Sequence, residues 1–169
     1  MSLTATVEAM LLRELATLRR ELEAYHDERL IWCELPGLPN TAGTLALHLA
    51  GNLQHYLGAR LGGTGYVRDR PAEFSRSDVP RAELLAEVDR ATAAVSIGLR
   101  GLAPDQLESD FPEPIAATAV PTGDYLLQLV AHAAFHVGQV DYHRRAVTGD
   151  SRSVGPLQPV LPAVARRMG

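Results

Sequence analysis

The chain has 169 residues, which is enough for one domain with a hydrophobic core. Hydrophobic residues make up 46% of it and are mostly leucine, alanine and valine, while aromatic residues make up only 5%; this composition favours an all-α fold. The formal net charge of −4 gives no general attraction for phosphate backbones or anionic lipids, so we expect no nucleic acid and no membrane partner. All 16 basic residues are arginine, which excludes Schiff-base chemistry and phosphate-binding loops that need a lysine.

The first half of the chain predicts two helices. The first runs from about Leu3 to Trp32, because apolar residues recur there at intervals of three and four, and it ends before the proline-rich 36–39 stretch. Asn40 or Thr41 caps a second helix, which runs to about Leu61 and is stopped by the glycine cluster that follows. Since these glycines close a helix and do not follow a strand, they do not predict a phosphate-binding loop.

A third helix follows a polar stretch over residues 66–77. Ser77 or Asp78 is its predicted cap, with Pro80 in the first turn, and its apolar residues alternate at three and four positions in the manner of a bundle seam. The next segment, 104–121, contains four prolines, which is too many for a helix. We therefore expect a loop that crosses the bundle.

The fourth helix is predicted from about Gly123 to Val147, with Thr122 as its cap and Gly149 as its stop. Four helices of roughly twenty residues favour a four-helix bundle. We expect residues 1–169 to form this single domain, with an irregular tail or a short terminal helix from about residue 150.

Cellular location and thiol chemistry are both constrained by the sequence. Charged residues at Glu8, Arg13 and Glu14 interrupt the apolar run that a signal peptide would need, and the single cysteine cannot form an internal disulfide. We therefore expect a cytoplasmic protein. No histidine accompanies Cys33 in a usual catalytic sequence context, so its expected role is that of a small packed residue.

Three histidines are the candidate functional residues. His132 and His136 are four residues apart on the fourth helix, so their rings lie on one face and can bind one metal ion. His48 lies mid-helix on the apolar side of the second helix and is the predicted third ligand. Three neutral imidazoles leave coordination positions open, which is typical of catalytic sites for zinc, nickel or iron. His55 and His143 remain spare candidates.

The surroundings of the histidines narrow the chemistry. A zinc-protease motif has a glutamate directly after the first histidine, where this chain has Ala133, so a peptidase of that class is excluded. Asp141 is predicted to point away from His136. Metal-bound imidazoles usually donate their second N–H group to an oxygen, and residues one helical turn away are the candidate acceptors. These candidates are Asn52, Gln128 and Gln139. His26 is predicted to be an ordinary core or rim histidine.

The stretch over residues 127–139, with two histidines four apart followed by Gly138 and Gln139, resembles the fourth-helix signature of the DinB-like superfamily. The second-helix stretch 44–52, which contains His48, is similar to the family's first metal-ligand segment. The resemblance implies an up-down-down-up four-helix bundle, a divalent metal on His48, His132 and His136, and a homodimer.

The resemblance also implies candidate activities. Some relatives are thiol-dependent S-transferases that use bacillithiol or mycothiol, so a low-molecular-weight thiol cofactor and a small electrophilic substrate are expected. A mycothiol-dependent isomerase is less expected, because isomerase-type relatives carry a further C-terminal domain. The alternatives are a metal-dependent hydrolase and a non-catalytic, stress-associated dimeric bundle that binds a metal or a ligand. Several arginines are candidates for binding an anionic thiol. They are Arg60, Arg68, Arg70, Arg144 and Arg145.

Overall fold

The structure is a computed structural model that describes residues 2–155. These residues form six α-helices and no β-strand, which confirms the predicted all-α fold. The helices are α1 (Leu3–Glu23), α2 (Ala42–Leu53), α3 (Arg70–Ser75), α4 (Arg81–Leu99), α5 (Pro104–Glu108) and α6 (Thr122–Thr148). A π-helical segment, Gln54–Leu61, continues α2, and a 3₁₀ helix, Glu28–Trp32, follows α1.

The four long helices pack around a common core. Helix α1 packs against α4 and α6, and α2 packs against the same two helices. Fully buried leucines from all four helices meet in this core. Burying a side chain of this size contributes roughly 1.5–3 kcal/mol, so the packing of these apolar stripes holds the helices together. Among the described residues, no helix combines the length and hydropathy that a membrane span requires.

Contacts near the helix ends give the relative directions of the helices. Leu3 lies beside Gly123, so the first turns of α1 and α6 meet and these two helices run parallel. Arg81, at the start of α4, donates to the carbonyl oxygen of Tyr25, just after α1, so α4 is antiparallel to α1. Gly98, near the end of α4, lies against the backbone of the π-helical segment, so α4 and α2 run parallel. These directions are compatible with the predicted up-down-down-up order.

Two predicted helix boundaries are wrong, and so is the predicted Thr122 cap, because Thr122 is the first residue of α6 and Pro121 precedes it as the cap. The first helix ends at Glu23 and does not continue to Trp32, because Asp27 adopts an extended backbone and its side chain accepts the Arg29 N–H group, which starts a separate 3₁₀ helix. The third long helix begins at Arg81, after Pro80, and neither Ser77 nor Asp78 caps it. The predicted Thr41 cap is confirmed, since its side-chain oxygen accepts the Thr44 N–H group.

Two segments predicted to lack helix contain short helices. Helix α3 lies within the polar 66–77 stretch, and α5 lies within the proline-rich 104–121 stretch, where Pro104 occupies the first turn and needs no N–H donor. Gly149 adopts a left-handed conformation with φ +69° and ends α6, as predicted. The predicted terminal segment lies largely outside the described residues.

Candidate metal centre

Helices α2 and α6 bring three histidine side chains to one point. The Nε2 atom of His132 is 3.2 Å from Nε2 of His48 and 3.1 Å from Nε2 of His136. One ligand atom from each of these residues lies within 4.8 Å of the other two, so the group could hold a metal ion. His48 is buried and the two α6 histidines are half-buried, so the cluster opens on the α6 side.

The cluster fits a divalent metal in distance and in protonation. Two nitrogens bound tetrahedrally to one ion through bonds of about 2.0–2.1 Å are roughly 3.3 Å apart, close to the observed separations. Burial, reinforced by the neighbouring His136 and His48, lowers the pKa of His132 to about 4. Burial also lowers the pKa of His136. Both imidazoles are therefore neutral at pH 7 and have a lone pair available for a metal.

Glu73 and Arg68 hold the ring of His48. The Nδ1 atom of His48 donates to Oε2 of Glu73 at 3.0 Å. Arg68 binds the same carboxylate with both arms of its guanidinium, Nε to Oε1 at 2.6 Å and Nη2 to Oε2 at 2.8 Å. Burial would raise the pKa of Glu73, but hydrogen bonds from His48 and Arg68 outweigh burial and lower it. The carboxylate therefore places the His48 proton on Nδ1 and leaves Nε2 free for a metal.

The close packing of α3 on α2 makes this contact possible. A Cβ atom at position 51 would collide with the carboxylate of Glu73, so only glycine at this position allows the carboxylate to lie next to α2. The following residue, Phe74, places its ring 4.9 Å from the ring of His48, measured between centroids. Helix α3 thus supplies both the hydrogen-bond acceptor and the apolar neighbour of His48.

Sequence reasoning missed Glu73 because it treated residues 66–77 only as a polar stretch that leads into the third helix. A local signal for the helix exists, since Asp69 caps α3 by accepting the Ala72 N–H group and Pro71 follows in the first turn. Nothing in that signal indicates that α3 docks on Gly51. The contact with His48 depends on tertiary packing alone.

The three residues predicted to contact the imidazoles differ in their surroundings. Gln139 lies against His136, with Oε1 2.6 Å from Nδ1. Gln128 is exposed, and no hydrogen bond joins it to His132 in the described part of the chain. Asn52 is buried, and its Oδ1 has no hydrogen-bond partner within residues 2–155.

His132 has a buried atom that complements the unpartnered oxygen of Asn52. Its Nδ1 is likewise buried without a partner among the described residues. A histidine that binds a metal through Nε2 carries its proton on Nδ1, which is then a donor. With a metal on Nε2, Nδ1 of His132 on α6 would thus be an unpaired donor, and Oδ1 of Asn52 on α2 is an unpaired acceptor.

The spare histidines have other contacts. Nε2 of His55 pairs with Oε1 of Glu113 at 3.0 Å. His143 is buried, and its Nε2 donates to the Cys33 carbonyl oxygen while its Nδ1 accepts from the Tyr25 hydroxyl group, both at 2.8 Å. Both nitrogens of His143 are therefore engaged in packing α6 against the segment after α1.

Carboxylates near the cluster are already paired. Both oxygens of Glu73 are bound by His48 and Arg68. Asp141 forms ion pairs with Arg144 and Arg145, consistent with the prediction that it points away from His136. Among the described residues, no unpaired carboxylate contacts the three histidines, so the cluster lacks an evident general base.

Replacing Glu73 with glutamine is expected to weaken metal binding by about 10- to 100-fold, because a neutral amide holds the Nδ1–H group of His48 less strongly than a carboxylate does. Zinc titration of the metal-free protein against a competing chelator measures the Kd. Glu87→Gln is the control, since Glu87 is a half-buried carboxylate that accepts hydrogen bonds from Gln54 and Arg90, away from His48. Equal zinc affinities for Glu73→Gln and wild type would contradict the assigned role.

The comparisons with known proteins agree with this architecture. The sequence model of the DinB superfamily matches residues 7–140, which is most of the chain. The matched range includes all three clustered histidines as well as α3 with Glu73. No curated protein and no solved structure matches the chain.

Proposed function

This chain belongs to the DinB superfamily, and on that premise we propose that it is a metal-dependent enzyme that transfers a low-molecular-weight thiol to small electrophiles. His48, His132 and His136 are the proposed metal ligands. The observation that carries the proposal is the convergence of three imidazoles at one point, with no free carboxylate beside them among residues 2–155. Zinc, nickel and iron all suit three imidazole ligands.

The proposed reaction needs an activated sulfur nucleophile. His48, His132 and His136 would hold a divalent ion, which when bound would lower the pKa of a coordinating thiol and make the thiolate available near neutral pH. The thiol proton passes to solvent. The sulfur then forms a bond to the electrophilic carbon, and the leaving group departs with its bonding electron pair. No general base is required for this nucleophile.

Hydrolysis fits the site less well. A bound divalent ion would lower the pKa of water as well as that of a thiol, but metal-dependent hydrolases commonly also use a carboxylate or histidine that transfers protons during the reaction. The nearest carboxylate, Glu73, is held on both oxygens by His48 and Arg68, so it is not available for this role. These hydrogen bonds are typical of a residue that only orients a neighbouring side chain, here His48.

The chain's own residues prepare the site for a thiol. Glu73 orients His48, and Gln139 lies within hydrogen-bond distance of His136. Phe74 and Phe135 pack against the rings of His48 and His136 respectively, and so exclude water from one side of each ring. Less water around the sulfur strengthens the electrostatic interactions of its thiolate form.

Monochlorobimane tests the activity, because thiol transfer releases chloride and forms a fluorescent product. The metal-loaded protein is assayed with bacillithiol, mycothiol, glutathione, coenzyme A and cysteine. We expect at least one thiol to react faster than its uncatalysed rate, and we expect the acceleration to vanish in His136→Ala. If the protein retains its metal but accelerates the reaction of none of these thiols, the transferase proposal is wrong and a non-catalytic metal-binding bundle is favoured.

A further inference from the structure

Two exposed aromatic rings lie beside histidines of the metal centre. Phe135 is 63% exposed, and its ring centre is 5.3 Å from that of His136. Phe74 is 40% exposed, and its ring centre is 4.9 Å from that of His48. Ligand sites are commonly lined by aromatic side chains next to a few polar groups. The rings therefore form apolar walls beside the three histidines.

An arginine lies on one of these walls. The guanidinium carbon of Arg70 is 5.1 Å from the centre of the Phe74 ring, over its face. Because the Phe74 and His48 ring centres are 4.9 Å apart, the guanidinium carbon is at most 10 Å from the centre of the His48 ring. Stacking on an aromatic face leaves the N–H edges of a guanidinium available for an anion.

The other candidate arginines are neutralised by carboxylates. Their partners are Glu113 for Arg60, Glu73 for Arg68, Glu21 for Arg144 and Asp141 for Arg145. Arg70 is exposed and has no ion pair within residues 2–155. Of the five arginines, it is therefore the one with both an uncompensated charge in the described structure and a position beside the metal centre.

We propose that Arg70 and Phe74 form a subsite that binds the anionic end of a thiol whose sulfur reaches the three histidines. This inference rests on the proposed function and adds the substrate class, which is a thiol that carries a carboxylate at a distance from its sulfur. The part of the thiol between sulfur and carboxylate packs on Phe74, and the carboxylate accepts hydrogen bonds from the Arg70 guanidinium, which has the planar geometry for bidentate binding.

Two thiols of equal length test the subsite. The probes are 6-mercaptohexanoate and 6-mercaptohexanol, which share an apolar chain and differ in the charged end. Binding to the cobalt(II)-loaded protein is followed by the sulfur-to-cobalt absorption band, which reports coordination without turnover. We expect the carboxylate to bind about two- to fivefold more tightly, the range for an exposed ion pair. We expect this preference to shrink in 1 M salt.

Two variants assign the preference to Arg70. Arg70→Gln is expected to abolish the preference by weakening only the binding of 6-mercaptohexanoate. Arg60→Gln is the matched control, because Arg60 is also partly exposed but pairs with Glu113. The Arg60→Gln protein should prefer 6-mercaptohexanoate as strongly as wild type does.

Each outcome has a distinct meaning. Equal binding of the two thiols by wild type, or an unchanged preference in Arg70→Gln, would overturn the subsite and leave the proposed function standing. Absence of the absorption band with both thiols would contradict thiol coordination at the metal, and with it both proposals. A carboxylate preference that Arg70→Gln alone removes supports the subsite.

Discussion

Replacing His136 with alanine is expected to reduce the metal content of the purified protein from about one ion per chain to less than about one tenth, because two imidazoles hold a divalent ion far more weakly than three. His136 is half-buried and is not one of the buried core residues, so the variant should fold as wild type does. Elemental analysis after growth in metal-replete medium gives the metal-to-protein ratio.

Thermal unfolding provides a second measurement of the same change. A ligand that binds the folded state alone stabilises it by about 2.7 kcal/mol at a hundredfold excess over Kd. Zinc should therefore raise the Tm of wild type and leave that of His136→Ala almost unchanged. His26→Ala is the control, since His26 is exposed and lies outside the cluster. Near-zero metal in wild type, or equal metal in wild type and His136→Ala, would refute the metal centre.

Replacing Arg144 with methionine is expected to lower the free energy of unfolding by about 3–5 kcal/mol, the usual effect of removing one partner from a buried ion pair. The Arg144 and Glu21 side chains are 1% and 2% exposed, and Nε of Arg144 donates to Oε2 of Glu21 at 2.5 Å. Arg144 also donates to the carbonyl oxygens of Asp150 and Arg152. Methionine fills similar space but leaves these acceptors without their donor.

The effect of Arg144→Met should depend on pH. Burial raises the pKa of Glu21 above its ordinary value of 4.5, and Arg144 opposes this rise. Without Arg144 the pKa rises further, so the folded variant keeps a proton that the unfolded chain releases. The contribution of Glu21 to the stability of the variant is therefore fully present below about pH 4.5 and is lost as pH rises through the folded-state pKa of Glu21. Its deficit relative to wild type should be larger at pH 8 than at pH 5.

Urea unfolding at pH 5 and pH 8 measures both predictions. Arg152→Ala is the control, because Arg152 is 88% exposed and pairs with Asp150 at the surface, so its free energy of unfolding should match wild type. The double variant Glu21→Gln with Arg144→Met should recover part of the lost stability, since it removes the buried charge. An Arg144→Met protein as stable as wild type at pH 8 would show that the pair contributes no net stability.

Local patterns account for the parts of the fold that the sequence predicted correctly. The spacing of apolar residues gives four long helices, and the Thr41 cap and the Gly149 stop are contacts between residues a few positions apart. The boundary near Trp32 failed because the Asp27 side chain competes with the helix for a backbone N–H group. Such competition is also local, but the spacing of apolar residues does not reveal it.

The sequence by itself determined that His132 and His136 share a face of one helix and that His48 lies on the core side of another, because both follow from helical geometry. Only the tertiary structure decided that Glu73 orients His48. It also decided which of the candidate arginines lies beside the metal centre without a carboxylate partner among the described residues, namely Arg70. Both depend on how α3 docks against α2. That docking requires the absence of a side chain at Gly51, and helical periodicity does not specify how one helix packs on another.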